Sequence, residues 1–217
     1  PADVSFAKSS GAGEYAGTLF MILGSLPYIR YVQLVNGQAT PLWQDSQVRA
    51  YLRWLTYAVL SVTLWRLWTT GGAVEPVFRE ALFNLTSIMS STGFFSGSFP
   101  VWGGYMLVVA FVIGVIGACS GSSAAGLSVF RVQLVFAVLR REIRRIGNPS
   151  TVDPIRYAGR PVEEDVLNAL ILFVSGYILI LGVMSVAMTL MGVDTVSALF
   201  AVWTSLGNIG YGFGPLV

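Results

Sequence analysis

Residues 81–94 read Ala-Leu-Phe-Asn-Leu-Thr-Ser-Ile-Met-Ser-Ser-Thr-Gly-Phe, and 117 residues later the pattern returns at 198–211 as Ala-Leu-Phe-Ala-Val-Trp-Thr-Ser-Leu-Gly-Asn-Ile-Gly-Tyr. Ala81-Leu82-Phe83 matches Ala198-Leu199-Phe200, Ser87 falls opposite Thr204, and Gly93-Phe94 falls opposite Gly210-Tyr211. An acidic residue precedes each copy, Glu75 in one and Asp194 in the other. Either glycine loop alone is a weak signal; two in register are an internal repeat, and that decides the architecture.

Each copy follows a stretch long enough to cross a bilayer, while its own apolar segment, about 76–90 or 194–206, is too short to do so. Such segments read as re-entrant helices, each ending in a glycine-containing loop. A short helix entering the membrane carries about half a negative charge at its C-terminus, which favours a cation there. The residues that follow are expected to run extended, with backbone carbonyls replacing a cation's water shell. Glycine fits where the backbone takes angles closed to other residues or approaches an ion closely, and Gly93 and Gly210 occupy those places. Phe94 and Tyr211 are expected to pack behind the loops, with Ser90, Ser91, Thr92 and Asn208 lending hydroxyl or amide support.

Composition agrees with a bilayer setting: 54% of the residues are hydrophobic and 11% charged, too apolar a balance for a soluble domain of this length. Crossing the hydrocarbon takes about 20 residues of helix, and apolar stretches lie near 13–35, 51–69, 100–139 and 166–191. Pro27 is expected to kink the first. The segment 36–48 reads as a loop with Asp45 or Ser46 as the next helix cap, and Trp65, Arg66 and Trp68 suit a membrane interface. Asp153-Pro154 and Arg160-Pro161 read as turns, and Glu163, Glu164 and Asp165 as charges at a helix start. Ten of the thirteen basic residues fall in 30–53 and 131–160, which places those segments on the cytoplasmic side and the glycine loops outside.

The run 100–139 is broken by Gly117-Ala118-Cys119-Ser120-Gly121-Ser122-Ser123-Ala124-Ala125-Gly126. Two readings fit. Gly117 and Gly121 form a GxxxG pair for close helix packing, or the segment is unwound and lines a watery path inside the protein.

With no histidine and one cysteine, Cys119, His-based triads, zinc sites, CxxC pairs and a disulfide framework fall away. No stretch reads as a cleavable signal peptide, and the start at Pro1-Ala2-Asp3 reads as that of a fragment. Ser120-Gly121 within a membrane segment admits an intramembrane serine hydrolase, but a serine nucleophile needs a base, and the one lysine is the distant Lys8. No catalytic residues are assigned. The basic clusters sit beside apolar spans without a nucleic-acid-binding fold, so they read as topology or anionic-lipid contacts.

These residues resemble the Trk/Ktr/HKT superfamily of potassium transporters, and within it the bacterial Trk uptake branch. The likeness rests on Phe20-Met21-Ile22-Leu23-Gly24-Ser25-Leu26-Pro27, Asp45-Ser46-Gln47-Val48-Arg49, Ser91-Thr92-Gly93-Phe94, the break 117–126 and Arg141-Glu142-Ile143-Arg144-Arg145. It implies an all-α integral membrane protein of repeated span, pore-helix, filter-loop and span units, with a four-fold pseudo-symmetric pore in the full protein. On that plan 1–35 ends the second repeat with its closing helix, and 36–50 is a cytoplasmic loop. The third repeat is 51–145, with span 51–69, pore helix 76–90, filter 91–96 and broken span 100–139. A cytoplasmic connection follows at 146–162, and 163–217 is the fourth repeat without its last helix.

The resemblance implies potassium uptake through filter positions Ser91, Thr92, Gly93, Phe94, Asn208, Ile209, Gly210 and Tyr211. It makes Gly117, Cys119, Ser120, Gly121, Ser122, Ser123 and Gly126 an intramembrane gating loop. Ala124 and Ala125 depart from the glycines frequent in that loop; Gly207 and Tyr211 stand where the fourth filter commonly has asparagine and proline. A homodimer in the bacterial inner membrane is implied, resting on a cytoplasmic nucleotide-binding regulatory subunit. Potassium is the cargo, no covalent cofactor is expected, and with no phosphate-binding loop in this chain nucleotide binds the partner. A sodium-and-potassium-permeable relative and a non-conducting structural subunit are the alternatives.

Overall fold

Asp45 starts one of the central helices. Its carboxylate accepts the Gln47 N–H at 2.8 Å, capping α4 (Ser46–Thr70), and takes the Arg30 guanidinium at 2.7 Å. A capping carboxylate satisfies an N–H that the first helical turn leaves open and complements the helix dipole. The computed structural model describes residues 11–38, 40–99, 102–147, 155–157 and 159–210.

Ahead of α4 lie α1 (Gly11–Gly24), α2 (Tyr28–Val35) and α3 (Thr40–Gln44). After it come α5 (Val74–Met89), α6 (Gly104–Ile116), α7 (Val129–Gly147), a hairpin of β1 (Arg156–Tyr157) and β2 (Arg160–Pro161), then α8 (Glu164–Leu190) and α9 (Thr195–Leu206).

Tyr51, Leu55, Val59 and Val62 recur along α4 at helical spacing and are all buried. They share one core with Leu85, Ile88 and Met89 of α5, Met106, Ala110 and Ile113 of α6, and Trp203 of α9. Phe111 joins α6 to α9, its ring 5.3 Å from that of Trp203. A second, smaller cluster of Leu134, Ile155 and Leu170 ties α7, the hairpin and α8 together. Among the described residues α8 is the helix long and apolar enough to cross a bilayer unaided. Its surface stays apolar nearly all round, with Ile171, Leu172, Ile178 and Leu179 exposed, as lipid contact requires.

Several expectations are refined. The segment 13–35 does not continue through its proline as one kinked helix: α1 and α2 meet at 92°. Proline has no N–H to continue the ladder, and the next N–H, of Tyr28, donates instead to the Gly121 carbonyl at 2.9 Å. The segment 36–48 contains the short α3, and the helix expected at 51–69 starts earlier, because Asp45 caps it at Ser46. Arg160-Pro161 lies in a strand, not a turn, pairing with Arg156-Tyr157; proline is tolerated there because a two-stranded ribbon has only edges. Asp153-Pro154 lies outside the described residues.

The hairpin is held by a relay: Ser46 donates to the Tyr157 hydroxyl at 2.9 Å, Tyr157 donates to Gln133 at 3.0 Å, and Gln133 donates to the Ser46 carbonyl at 3.1 Å. Burial raises the Tyr157 phenol above its ordinary pKa, so it remains a donor at physiological pH.

Asp45→Ala removes both the cap and the Arg30 partner. We expect a loss of about 2 kcal/mol, read as a lower Tm in detergent micelles. Asp45→Asn, which keeps the cap, is expected to lose about half as much.

Candidate functional site

The two glycine loops share one hydrogen-bond scheme, shifted by the repeat. After α5, Ser90 N–H donates to Thr86 at 2.8 Å, Ser91 N–H to Ile88 at 3.2 Å, and Thr92 and Gly93 N–H both to the Ser87 carbonyl, at 2.9 and 3.5 Å. After α9, Gly207 N–H donates to Trp203 at 2.9 Å, Asn208 N–H to Ser205 at 3.1 Å, and Ile209 and Gly210 N–H both to the Thr204 carbonyl, at 2.7 and 3.4 Å. Ser91 and Gly93 have φ of 57° and 78°; Asn208 and Gly210 have 48° and 70°. Each short helix is therefore closed by one carbonyl capturing two N–H groups, with left-handed residues at alternate positions beyond.

The loops also meet. A Cβ on Gly93 would overlap the Ile209 carbonyl oxygen, so that oxygen faces the Gly93 backbone at a distance only glycine permits. Gly93 is thus required twice, by its positive φ and by its neighbour. Ser90 and Thr92 hydroxyls pair at 2.7 Å. Ser91, a non-glycine in the left-handed region, accepts a hydrogen bond on Oγ from Ala125 N–H at 3.1 Å. Phe94 is 42% exposed in this chain, so it does not lie buried behind the loop, whereas Phe95 packs against the core. Tyr211 lies outside the described residues.

The segment 117–128 between α6 and α7 is unwound, with Gly117, Gly121, Gly126 and Ser128 at positive φ. The helix-packing reading of Gly117 and Gly121 falls, because neither sits in a helix. The unwound backbone is satisfied in part by the break between α1 and α2. Cys119 N–H donates to Ser25 at 3.2 Å, and Ser123 donates to the Gly24 carbonyl through N–H at 3.2 Å and through Oγ at 2.9 Å. Ser120 N–H goes to Gln47 Oε1 at 2.9 Å, and Ser122 Oγ to the Cys119 carbonyl at 2.7 Å. Gly117 packs so closely on the Ala125 carbonyl that a Cβ would overlap it. A hollow of about 270 Å³ lies between the loop and α1, lined by Thr92, Phe94, Ser123, Gly24 and Phe20. Candidate filter and candidate gate residues thus share one cavity.

Sequence reasoning missed Asn84. Its buried amide donates to the Ser96 carbonyl at 2.9 Å and accepts the Ser96 N–H at 3.1 Å, fixing the end of the first loop as a neighbouring strand would. A polar residue inside an otherwise apolar helical face was the available signal; its absence from the second copy, where Ala201 stands, hid it from the repeat. On the basic side, a cleft of about 940 Å³ is lined by Arg53, Arg140, Arg141, Arg144 and Arg156 together with apolar walls such as Trp54.

A long apolar helix, short helices closed by matched glycine loops and an unwound segment together make the architecture of a helical membrane protein. The TrkH family model, described as cation transport protein, matches residues 29–217, and the chain belongs to that family. A Trk system potassium uptake protein, TrkI, of Halomonas elongata is 30% identical over 98% of this chain and 45% of its own length. The Trk system potassium uptake protein TrkH of Escherichia coli is 28% identical over 90% of this chain and 41% of its own. The crystal structure of the potassium transporter TrkH from Vibrio parahaemolyticus superposes with a TM-score of 0.90 at 26% identity, over 99% of this chain and 47% of that one. The chain therefore spans about half the length of the relatives it matches.

Gly117→Ala and Gly121→Ala separate crowding from backbone strain, since both have positive φ but only Gly117 is crowded. We expect Gly121→Ala to cost about 1 kcal/mol and Gly117→Ala about 3 kcal/mol or more, compared by thermal unfolding in detergent.

Proposed function

We propose that the full-length protein carries potassium ions across the bacterial inner membrane through a filter of backbone carbonyls. Residues 91–94 and 208–211 are two of its four filter loops, and 117–126 is the gating loop beneath them. The observation that carries this reading is the common hydrogen-bond scheme of the two loops, with the Ile209 carbonyl facing Gly93. Two short helices ending at such loops direct the negative ends of their dipoles toward one region, which favours a cation. Carbonyl oxygens in place of water can then select among cations by number and field strength. The potassium named for the relatives fits that chemistry.

In this reading the filter loops face outward and the arginine-rich foot of α7 faces the cytoplasm. The gating loop closes the path while its N–H groups are bonded to the α1–α2 break and to Ser91. Movement of the loop exchanges those bonds for water or for other backbone partners. A homodimer on a nucleotide-binding regulatory subunit completes the proposal, with the arginine-lined cleft as a candidate contact for that subunit or for anionic lipid.

Potassium or rubidium uptake by full-length protein in transport-deficient cells tests this. Wild type is expected to restore uptake, and Gly93→Ser to lower the preference for potassium over sodium by about tenfold. Unchanged uptake and preference in Gly93→Ser would overturn the filter assignment.

A further inference from the structure

A second polar assembly lies at the far end of the first loop, and the transport reading above makes no use of it. Glu14 of α1 is buried, and its Oε2 forms an ion pair with Arg79 of α5 at 2.9 Å; 9% of the Glu14 side chain and 22% of the Arg79 side chain are exposed. Arg79 also reaches Glu75, one turn earlier, at 3.2 Å, and Tyr15 donates to the same Glu75 oxygen at 3.3 Å. The other Glu14 oxygen, Oε1, accepts the Ser96 hydroxyl. Ser96 lies three residues beyond Gly93 and is held at all three of its polar groups, since Asn84 binds its N–H and its carbonyl.

The two holds differ in kind. Asn84 and Ser96 both belong to the segment between α4 and α6, so their bonds shape the loop from within. Glu14 comes from α1, across the connection, and so places the loop relative to another part of the molecule. A carboxylate accepting a hydroxyl makes a shorter, stronger bond than a neutral acceptor, and Arg79 supplies the positive charge that makes a buried carboxylate tolerable. The opposite end of α1 carries the Gly24 and Ser25 carbonyls that hold the 117–126 segment. One helix therefore braces the loop's outer end and the candidate gate.

We propose that Glu14 is a positioning residue for the third filter: held by Arg79, its carboxylate fixes Ser96 and thereby the distance of loop 91–96 from the ion path. This rests on the filter reading above. A purely structural ion pair would change how much protein reaches the membrane, but not which ion it prefers.

The test is the potassium-over-sodium uptake ratio of full-length variants, which does not depend on protein amount. Ser96→Ala removes the hydroxyl and leaves both the ion pair and the Asn84 bonds in place. Glu14→Gln is expected to lower the ratio about tenfold and Ser96→Ala about threefold, as the loss of charge-assisted hydrogen bonding allows. Glu14→Asp, which keeps the charge, is expected to retain most of the preference. If Glu14→Gln does not reach the membrane, Ser96→Ala carries the test. Gly93→Ser is measured alongside. A changed ratio in Gly93→Ser, with Ser96→Ala and any expressed Glu14→Gln within about twofold of wild type, overturns the positioning role and leaves the filter standing. No change in Gly93→Ser defeats the filter reading itself.

Discussion

Two helices are broken in this protein, and each break satisfies the other. Where α1 turns into α2, the Gly24 and Ser25 carbonyls and the Tyr28 N–H have no helical partner; where α6 gives way to α7, the N–H groups of Cys119 and Ser123 and the Gly121 carbonyl have none. They bond to each other. A backbone group left unsatisfied away from water costs about 1–3 kcal/mol, so each break relieves part of the cost of the other. The 92° bend at Pro27 and the unwound run at 117–128 are one device.

That device positions the rest. The unwound segment reaches the end of α5 through the Ala125–Ser91 hydrogen bond, while α1 reaches the end of the same loop through Glu14 and Ser96. Loop 91–96 is thus approached from both ends by elements that are themselves bonded to each other. Loop 207–210 is supported differently: its helix is capped by Asp194 and packed through Trp203 and Phe111, and it meets the first loop at Gly93. The local hydrogen-bond scheme is common to both, whereas the surrounding supports are not. Backbone requirements persist in a repeat; side-chain supports answer to different neighbours.

This distinction explains what the sequence made legible. Short helices, glycine loops, the broken span and the Asp45 cap follow from local rules that leave marks in residue type and spacing: proline, glycine, capping acids and apolar length. Gly93 could be singled out because positive φ demands it. The Asn84 clamp, the Glu14–Arg79 pair and the relay from Ser46 through Tyr157 to Gln133 join residues far apart in the chain, and no spacing rule connects them. The size of the bend at Pro27 was hidden for the same reason: a proline marks where a helix weakens, but the angle is set by the partner that takes the released groups. The two-residue hairpin was hidden too, because Arg160-Pro161 carries turn chemistry and becomes a strand by pairing with 156–157.

The coupling between segment 117–126 and loop 91–96 follows from valence. The Ser91 hydroxyl accepts the Ala125 N–H, and an N–H parted from its acceptor must find another or meet water. Displacing 117–126 from loop 91–96 would therefore free Ser91, a non-glycine residue held at φ 57°, a backbone geometry that costs on the order of 1 kcal/mol. With its side-chain bond gone, Ser91 has less reason to stay left-handed, and the alternation that begins at Ser91 and continues at Gly93 loosens from its first member. At the matching position of the other loop stands Asn208, a residue type that enters this region more readily by its own local hydrogen bonding, and the Ala125 N–H is bonded to Ser91 instead. Displacement of the segment thus acts on the two loops unequally, relaxing the one that depends on it.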